Sequence, residues 1–275
     1  MKKKWFYTLL VPGLTIIILF LFIPLIYTIG STFIGDSGFT FSRYTTFFTD
    51  GYYVKIFSRT LKIALITALI SMILGIPVAY YISRSKKSIR GVLIACTVFP
   101  LLTNSVVRSF AWMTILGKNG VINNLLMNVH VIGSPLKLLY TEFAIIIGTV
   151  YLFLPLMVVS LVGVMENIEN DLLEAAESLG ANRLTAFFKV VVPLSVPGLI
   201  VGSVLVFTGA FTAYTTPQLL GGNTNIVLST LVYQRAMTLG DWTGASVVAT
   251  VMIITTLTVI GVINKLAGKL NERGI

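Results

Sequence analysis

The sequence has very few of the side chains with which soluble enzymes do chemistry. It contains one cysteine, one histidine and ten acidic residues among 275. Cys96 lies within an apolar run, where a small buried hydrophobic residue is its expected role. His130 has no Cys, Asp or Glu beside it at metal-ligand spacing. The sequence therefore predicts no disulfide framework and no metal site.

Motifs for nucleotide binding and for hydrolysis are also missing. There is no G-x-x-x-x-G-K-[ST], no H-E-x-x-H and no recognisable Ser/His/Asp set. Acidic residues are almost absent from the apolar runs, with only Glu142 and Asp241 at their borders, whereas a proton-driven transporter is expected to carry intramembrane acids. We predict that the chain is not an enzyme and binds no cofactor, so a transport role would need an energy source outside it.

What the sequence does have is apolar residues. Hydrophobic residues make up 56% and charged residues 11% of the chain, and the mean hydropathy is +0.91. This composition predicts an all-α integral membrane protein. The formal net charge is +10, but the basic residues cluster at the ends of apolar runs. Membrane orientation explains that clustering better than nucleic-acid binding does.

The apolar runs predict about six transmembrane helices in a single domain covering 1–275. A signal peptide is the alternative for the first run, but the run is long enough to cross a bilayer and no small-x-small cleavage site follows it. Residues 31–59, 117–140 and 214–242 are predicted outer segments, the second with a short amphipathic helix. The predicted spans are 5–29, 61–83, 91–116, 143–164, 197–213 and 243–263.

The distribution of Lys and Arg predicts that both termini are cytoplasmic. In that orientation twelve of them lie in cytoplasmic segments and seven in outer loops, with Arg108 left inside a span. The strongest single signal is the loop Arg84-Ser85-Lys86-Lys87-Ser88-Ile89-Arg90, which has four positive charges and no acid. The same orientation places the segment 166–195 in the cytoplasm.

That segment, which we call the polar island (residues 166–195), lies between two strongly apolar runs and holds five of the ten acidic residues. Asp171 and Glu174 have the spacing of a capping box at a helix start. Leu172, Leu173, Ala176 and Leu179 recur at helical spacing on one side, and Gly180 is expected to end the helix. Asn182 is expected to cap a second helix that stops before Pro193. Such a helix is suited to a partner's groove, although an ordinary solvated hairpin has the same pattern.

The residues of the island resemble a known family. Glu174-Ala175-Ala176, Gly180, Pro193-Leu194 and Pro197-Gly198 are similar to the cytoplasmic loop of permease subunits of binding-protein-dependent ABC importers. Thr103-Asn104-Ser105-Val106-Val107-Arg108, the block 172–202 and Thr216-Pro217-Gln218-Leu219-Leu220-Gly221-Gly222 resemble the spermidine/putrescine-type permeases of that family. Related permeases for ferric iron, phosphonate or other small solutes look similar, so the loop is more specific for the importer class than for polyamines.

The resemblance implies the ABC importer permease fold and a multi-pass protein of the bacterial cell membrane. It implies that the first helix of the island is a coupling helix, which docks on a cytoplasmic ATPase and transmits its closure to the spans. The apolar residues would make the contact, Gly180 would set the bend, and Arg183 and Phe187 would anchor the second helix. The residues assigned to coupling are Leu172, Leu173, Glu174, Ala175, Ala176, Leu179, Gly180, Arg183 and Phe187.

The resemblance also implies partners and a mechanism. They are a pair of ATPase subunits that use ATP and Mg, a second permease subunit, and an extracytoplasmic solute-binding protein that docks on 214–242 and 117–140. No nucleic acid is expected. ATP-driven alternating access would move the solute along a path shared by two permeases. A homodimeric permease is the alternative within this class. An exporter half or a secondary transporter would need a fused nucleotide-binding domain or intramembrane acids, and a membrane enzyme would need a reactive constellation.

Polar and amphipathic side chains in or near the spans are the candidates for the solute path. Aromatic faces can stabilise an ammonium group by cation–π contact, although each residue has a plain alternative role at the bilayer interface or between helices. Arg108 would repel a cationic solute, so we expect it to be a structural or gating residue bonded to helix carbonyls. The candidates are Asn104, Ser105, Arg108, Trp112, Tyr151, Thr208, Thr212 and Tyr214.

Overall fold

The computed structural model describes residues 11–35 and 38–271, with side chains described up to residue 265. The predicted cytoplasmic charges Lys2, Lys3, Lys4 and Arg273 lie outside the described residues. The regular secondary structure of the described residues is helical except for one short antiparallel strand pair, Ile34–Gly35 with Gly38–Phe39. It forms two compact units, one made of residues up to Lys55 with Leu231–Ile254, the other of Ile56–Thr230 with residues from Thr255 on.

Within the described residues four helices are long and apolar enough to cross a membrane, and the number rises to six if each of two bent helix pairs counts as one span. The fold is therefore that of an all-α membrane protein, as the apolar runs predict. One bend breaks the predicted span 91–116, whereas the other lies at Ser195, just before the predicted span 197–213. The four helices are Val11–Ser31, Gly51–Arg84, Glu142–Met165 and Trp242–Lys265, and the bent pairs are Lys87–Leu102 with Ser105–Asn128 and Arg183–Leu194 with Val196–Thr212.

The Gly51–Arg84 helix starts ten residues before the predicted span 61–83. Residues 51–59 of the predicted folded loop 31–59 are therefore helical, and the short helix Ser42–Thr49 and the strand pair lie in the part before them. Asp50 explains the early start, because its Oδ1 accepts the backbone N–H of Tyr52 at 2.8 Å and so caps the helix. In the sequence, a polar residue such as Asp50 indicates a turn as readily as a helix cap, and the capping bond decides between the two.

The predicted third span, 91–116, is broken by a bend of 93° between the Lys87–Leu102 and Ser105–Asn128 segments. Asn104 begins the second helix, and its Oδ1 accepts the backbone N–H groups of Val106 and Val107 at 2.9 and 3.3 Å. A residue that caps a helix start takes a non-helical backbone conformation, so the first helix has to end just before it. The Ser105–Asn128 segment consists of two helices, Ser105–Leu116 and Val121–Asn128, and the second confirms the short helix predicted in 117–140.

The Glu142–Met165 and Val196–Thr212 helices pack closely against each other, and glycine makes the contact possible. A Cβ atom on Gly202 would lie 2.6 Å from Met157 Sδ and 3.2 Å from Met157 Cα. A Cβ on Gly198 would lie 2.9 Å from the Ser160 carbonyl oxygen. Membrane helices commonly associate through such small residues, because lipid gives no hydrophobic driving force for their association.

Polar contacts hold the Gly51–Arg84 helix to the Glu142–Met165 helix. Thr67 Oγ1 and Thr149 Oγ1 are hydrogen-bonded at 3.0 Å, and both side chains are buried. At the predicted outer end, Glu142 pairs with Arg59 at 3.1 Å and with Lys62 at 2.8 Å. These contacts satisfy polar groups within the protein, as an apolar surrounding requires.

The remaining helices are short or lie towards the end of the chain. The predicted outer segment 214–242 contains Thr215–Gly221, Leu228–Tyr233 and the π-helical stretch Gln234–Thr238. The last helix is Trp242–Asn271, longer than the predicted span. The cytoplasmic position of the termini stays a prediction from the charge distribution.

We expect Gly202→Val to destabilise the protein by about 1–3 kcal/mol, because the added methyl groups overpack the contact with Met157. The change should lower the melting temperature of the detergent-purified chain. Gly163→Val is the matched control, since a Cβ on Gly163 meets nothing within 4 Å. Equal melting temperatures for the two variants would show that this helix contact does not need glycine.

Candidate functional site

The first helix of the polar island is Asn170–Ser178. The predicted capping box is wrong, because the helix starts at Asn170, one residue before Asp171, and the N-cap residue, Glu169, makes no side-chain capping bond. Asp171 instead lies in the first turn, where its charge is favourable towards the partial positive charge of the helix start. The helix itself is where the sequence predicted it.

The predicted end of this helix at Gly180 is confirmed. Gly180 has a φ of +90°, a left-handed conformation that residues with a Cβ rarely adopt. The Gly180 N–H donates to the Glu177 carbonyl at 2.9 Å, and the Ala181 N–H donates to the Ala176 carbonyl at 3.0 Å. These two bonds form a Schellman motif, which closes the helix and reverses the chain towards the second helix.

The predicted cap of the second helix is also confirmed, since Asn182 Oδ1 accepts the Thr185 N–H at 2.8 Å. The prediction that this helix stops before Pro193 is wrong, because it runs over Arg183–Leu194. Residues Phe187–Val191 take the wider π-helical form just before the proline. A π-helical turn relieves the loss of a backbone donor and the ring clash that proline brings to a regular α-helix.

The predicted single apolar side of the island helix is divided between two environments. Leu173 and Ala176 are half-buried, and Leu173 packs on the core cluster that includes Met157, Leu161 and Met165. Leu172 and Leu179 point away from that cluster, and Leu179 is 90% exposed. The assignment of all four residues to a partner contact stays a prediction, although Leu173 and Ala176 are partly covered by the chain itself. Glu174 and Ala175 are exposed as well.

The exposed apolar surface continues into the second helix. Leu184 and Phe188 are both exposed, and Phe188 contacts Phe187 edge-on with ring centroids 5.2 Å apart. Leu172, Leu179, Leu184 and Phe188 are thus large apolar side chains on a segment rich in charge. A surface of this kind on an extramembrane loop is typical of a protein contact.

Phe187, and not Arg183, anchors the second helix. The Phe187 ring packs on the core cluster and meets the Tyr80 ring edge-on, with centroids 4.9 Å apart. The Arg183 side chain is 94% exposed and has one ion pair, to Glu177 at 3.8 Å. The expected anchoring role of Arg183 is therefore wrong, and an exposed pair at this distance adds little stability.

Sequence reasoning missed the residues that hold the island to the spans. Arg84 Nη1 donates to the Ile168 carbonyl at 2.9 Å and to Asn170 Oδ1 at 2.7 Å. Arg90 pairs with Glu166 at 3.2 Å. The basic loop had been used only to predict orientation. The signal that was present, and was not used, is that the five acids of the island and the four positive charges of this loop lie on the same side of the membrane in the predicted topology.

Three of the eight path candidates line one cavity. Trp112 and Tyr151 contact edge-on with ring centroids 5.7 Å apart. Arg108 lies beside them with its charge satisfied: Nη1 donates to the Pro100 carbonyl at 2.8 Å and to the Thr103 carbonyl at 3.2 Å. The expected bonding of Arg108 to helix carbonyls is confirmed. The cavity has a volume of about 310 Å³ and is lined by Thr103, Val107, Arg108, Ala111, Trp112, Ile115 and Tyr151.

The other five candidates do not line that cavity. Asn104 is the helix cap described above, and Ser105 is the first residue of the helix. Thr212 Oγ1 donates to the Thr208 carbonyl at 2.8 Å, a bond within one helix. The buried Thr208 Oγ1 has no hydrogen-bond partner among the described residues. Tyr214 is half-buried immediately before the Thr215–Gly221 helix.

A second cavity, of about 430 Å³ and with a more polar lining, lies in the unit that contains the Ser42–Thr49 helix. Arg235 pairs there with Asp241 and lies over the Tyr53 ring, 5.1 Å from its centroid. Burial raises the pKa of Asp241, but the Gly244 N–H, Arg235 and the charge of Arg43 outweigh it and hold the pKa below its usual value. The carboxylate is therefore ionised at neutral pH and offsets one of the two positive charges, Arg43 and Arg235, that line this cavity.

Among the described residues, no group of three or more His, Cys, Asp or Glu is placed to hold a metal ion.

Comparison with known proteins gives a family match and a set of relatives. The sequence profile of the family described as "Binding-protein-dependent transport system inner membrane component" matches residues 71–270. The spermidine/putrescine transport system permease protein PotB of Escherichia coli (strain K12) is 32% identical over 246 residues, which cover 86% of this chain and 89% of that protein. PotB of Haemophilus influenzae is 32% identical, covering 85% and 84%. The probable sulfate transport system permease protein cysT of Nephroselmis olivacea is 26% identical, covering 90% and 86%.

Solved structures of two ABC transporters have the same fold. A chain of a bacterial transporter involved in the import of the acidic polysaccharide alginate aligns with a TM-score of 0.81 at 19% identity, covering 98% of this chain and 96% of that one. A chain of the MetNI methionine ABC transporter, in an inward-facing conformation, aligns with a TM-score of 0.59 at 16% identity, covering 79% and 95%. At these identities the likeness establishes the fold alone.

Arg108→Met should destabilise the bend between the two helices, because it leaves the carbonyls of Pro100 and Thr103 without their donor. We expect a loss of about 1–3 kcal/mol and a lower melting temperature in detergent. Arg108→Lys keeps the charge and one donor group and should give an intermediate value. A melting temperature for Arg108→Met equal to that of the unmodified chain would show that these bonds do not support the bend.

Proposed function

The chain belongs to the family of binding-protein-dependent transport system inner membrane components, and on that premise we propose that it is the permease subunit of an ATP-driven importer of polyamines. As a member of this family it is a multi-pass membrane transport subunit and not an enzyme. The observation that carries the polyamine assignment is its likeness to spermidine/putrescine permeases, which extends over 86% of the chain. The bacterial inner membrane is its proposed location.

The polar island is the proposed site of contact with the ATPase. Its exposed Leu172, Leu179, Leu184 and Phe188 need a partner on the aqueous side, while Leu173 and Phe187 join it to the core of the spans. A helix that has one side on a partner and the other on the membrane core can pass movement between them. ATP and Mg would be bound by the partner ATPase, since this chain has no phosphate-binding motif.

The cavity beside Trp112 and Tyr151 suits part of a polyamine. A polyamine alternates methylene segments with ammonium groups, so it fits a lining that is mostly apolar and carries aromatic rings. Arg108 points its charge at the carbonyls of Pro100 and Thr103, and these bonds reduce its repulsion of a cation. The cavity in one chain would form half of a path that a second permease completes.

The identity of the imported solute is tested with the assembled complex in proteoliposomes. Spermidine-loaded and putrescine-loaded binding protein should stimulate ATP hydrolysis and drive uptake of the labelled solute. The same complex with binding proteins loaded with ferric iron, phosphonate or sulfate is the comparison. Stimulation by one of these and not by a polyamine would contradict the polyamine assignment and leave the importer class in place. A second permease co-purifying with the chain would exclude a homodimer.

The contact with the ATPase is tested by Leu179→Asp. Introducing a charge at an exposed apolar anchor should cost about 2 kcal/mol or more, and so weaken ATPase binding about thirtyfold. Leu179→Met keeps an apolar side chain of similar size and should bind normally. The measurement is ATPase affinity for the permease in nanodiscs. Equal affinities for the two variants would contradict the assignment of this surface.

A further inference from the structure

The Gly51–Arg84 helix is bonded through its last residue to the start of the polar island. A single nitrogen, Arg84 Nη1, donates both to the Ile168 carbonyl and to Asn170 Oδ1, at 2.9 and 2.7 Å. Ile168 precedes the island helix by two residues, and Asn170 is the first residue of it. The guanidinium group therefore fixes the point at which the chain enters the island helix.

The same helix end contacts the far side of the island. The Arg84 guanidinium lies over the Tyr80 ring, 5.7 Å from its centroid, and the Tyr80 ring meets the Phe187 ring at 4.9 Å. Tyr80 and Arg84 are four residues apart and so lie on one face of the helix. Phe187 begins the π-helical stretch that follows the island helix. One helix face thus contacts the island both before and after its first helix.

Arg90 reinforces this attachment from the next helix. Its Nη2 donates to the carbonyls of Ser83 and Ser85 at 2.6 and 3.2 Å, and its Nη1 pairs with Glu166 at 3.2 Å. Glu166 is the residue that directly follows the Glu142–Met165 helix. Arg90 therefore joins the end of the Gly51–Arg84 helix to the residue where the island begins.

The two arginines retain donors that are buried and have no acceptor among the described residues. These atoms are Arg84 Nε, Arg84 Nη2 and Arg90 Nε. A buried donor without a partner is unfavourable. If a small shift of the island brought new carbonyl groups within reach of these donors, the new hydrogen bonds would compensate for those lost in the shift. Arg84 and Arg90 can accordingly exchange one group of acceptors for another while they stay bonded to the island.

We propose that Arg84 is a positioning residue that clamps both sides of the island helix to the Gly51–Arg84 helix, so that movement imposed by the ATPase is passed into that helix. Arg90 supports the clamp by holding Glu166. This inference rests on the proposed function for its consequence in transport. The clamp itself is a property of the chain and is testable without any solute.

The first test is amide hydrogen exchange of the complete complex in nanodiscs. In Arg84→Ala, exchange in residues 166–170 and 187–191 should accelerate by about tenfold or more, the factor expected for loss of one charge-assisted hydrogen bond. Lys87→Ala is the matched control, since Lys87 is an exposed cation of the same loop. Exchange that is equal in the two variants would overturn the clamp.

The second test is the ratio of solute imported to ATP hydrolysed. The permease with Arg84→Ala should bind the ATPase normally, and the complex should still hydrolyse ATP. The ratio of solute imported to ATP hydrolysed should nevertheless fall about tenfold or more. Arg84→Lys, which keeps the charge and loses the forked donor geometry, should recover part of the ratio. Uptake and hydrolysis that fall together, with the ratio unchanged, would overturn the positioning role. If the Arg84→Ala protein is not recovered from membranes, the comparison of Arg84→Lys with Lys87→Ala decides both the hydrogen-exchange test and the ratio test.

The two tests separate this inference from the proposed function. Absence of polyamine uptake by the unmodified complex would contradict the substrate assignment, and the hydrogen-exchange comparison would still decide the clamp. Normal polyamine uptake with an unchanged ratio in Arg84→Ala would leave the function in place and reject the positioning role.

Discussion

The close contact between the Glu142–Met165 and Val196–Thr212 helices is the constraint on which the rest of the site depends. The polar island connects these two helices, so their separation fixes both ends of the island. Gly198 and Gly202 allow the separation, because a Cβ at either position would collide with the facing helix. A fixed base of this kind is what a force-transmitting loop requires, since a loop on a loose base would absorb the movement.

On that base the island divides its apolar residues by direction. Leu173 and Phe187 face the protein core, whereas Leu172 and Leu179 face water. Burial of the first pair stabilises the island on the spans. Exposure of the second pair is unfavourable in water unless a partner covers it. Under the proposed function the ATPase covers the second pair, so that the island joins the membrane core to a soluble subunit.

The polar groups near the membrane follow a single rule, that each is paired within the protein. Arg108 is bonded to the carbonyls at the helix bend, Thr67 is bonded to Thr149, and Glu142 is paired with Arg59 and Lys62. The buried hydroxyls of Ser71 and Thr208 are exceptions among the described residues. Unpaired donors on Arg84 and Arg90 are the others of interest, and they lie where the island is expected to move.

The sequence by itself determined the membrane class, the number of apolar runs, the position of the island, the bend at Gly180 and the Asn182 cap. These depend on composition and on local backbone preferences, which act over a few residues. Only the tertiary structure decided the bend at Asn104, the passage of a helix through Pro193, the division of the island leucines and the contacts of Arg84. Each of these depends on a partner far away in sequence or on the choice between two locally acceptable conformations. Periodicity predicts that a face is apolar, but the packing of distant helices decides which residues of that face are buried.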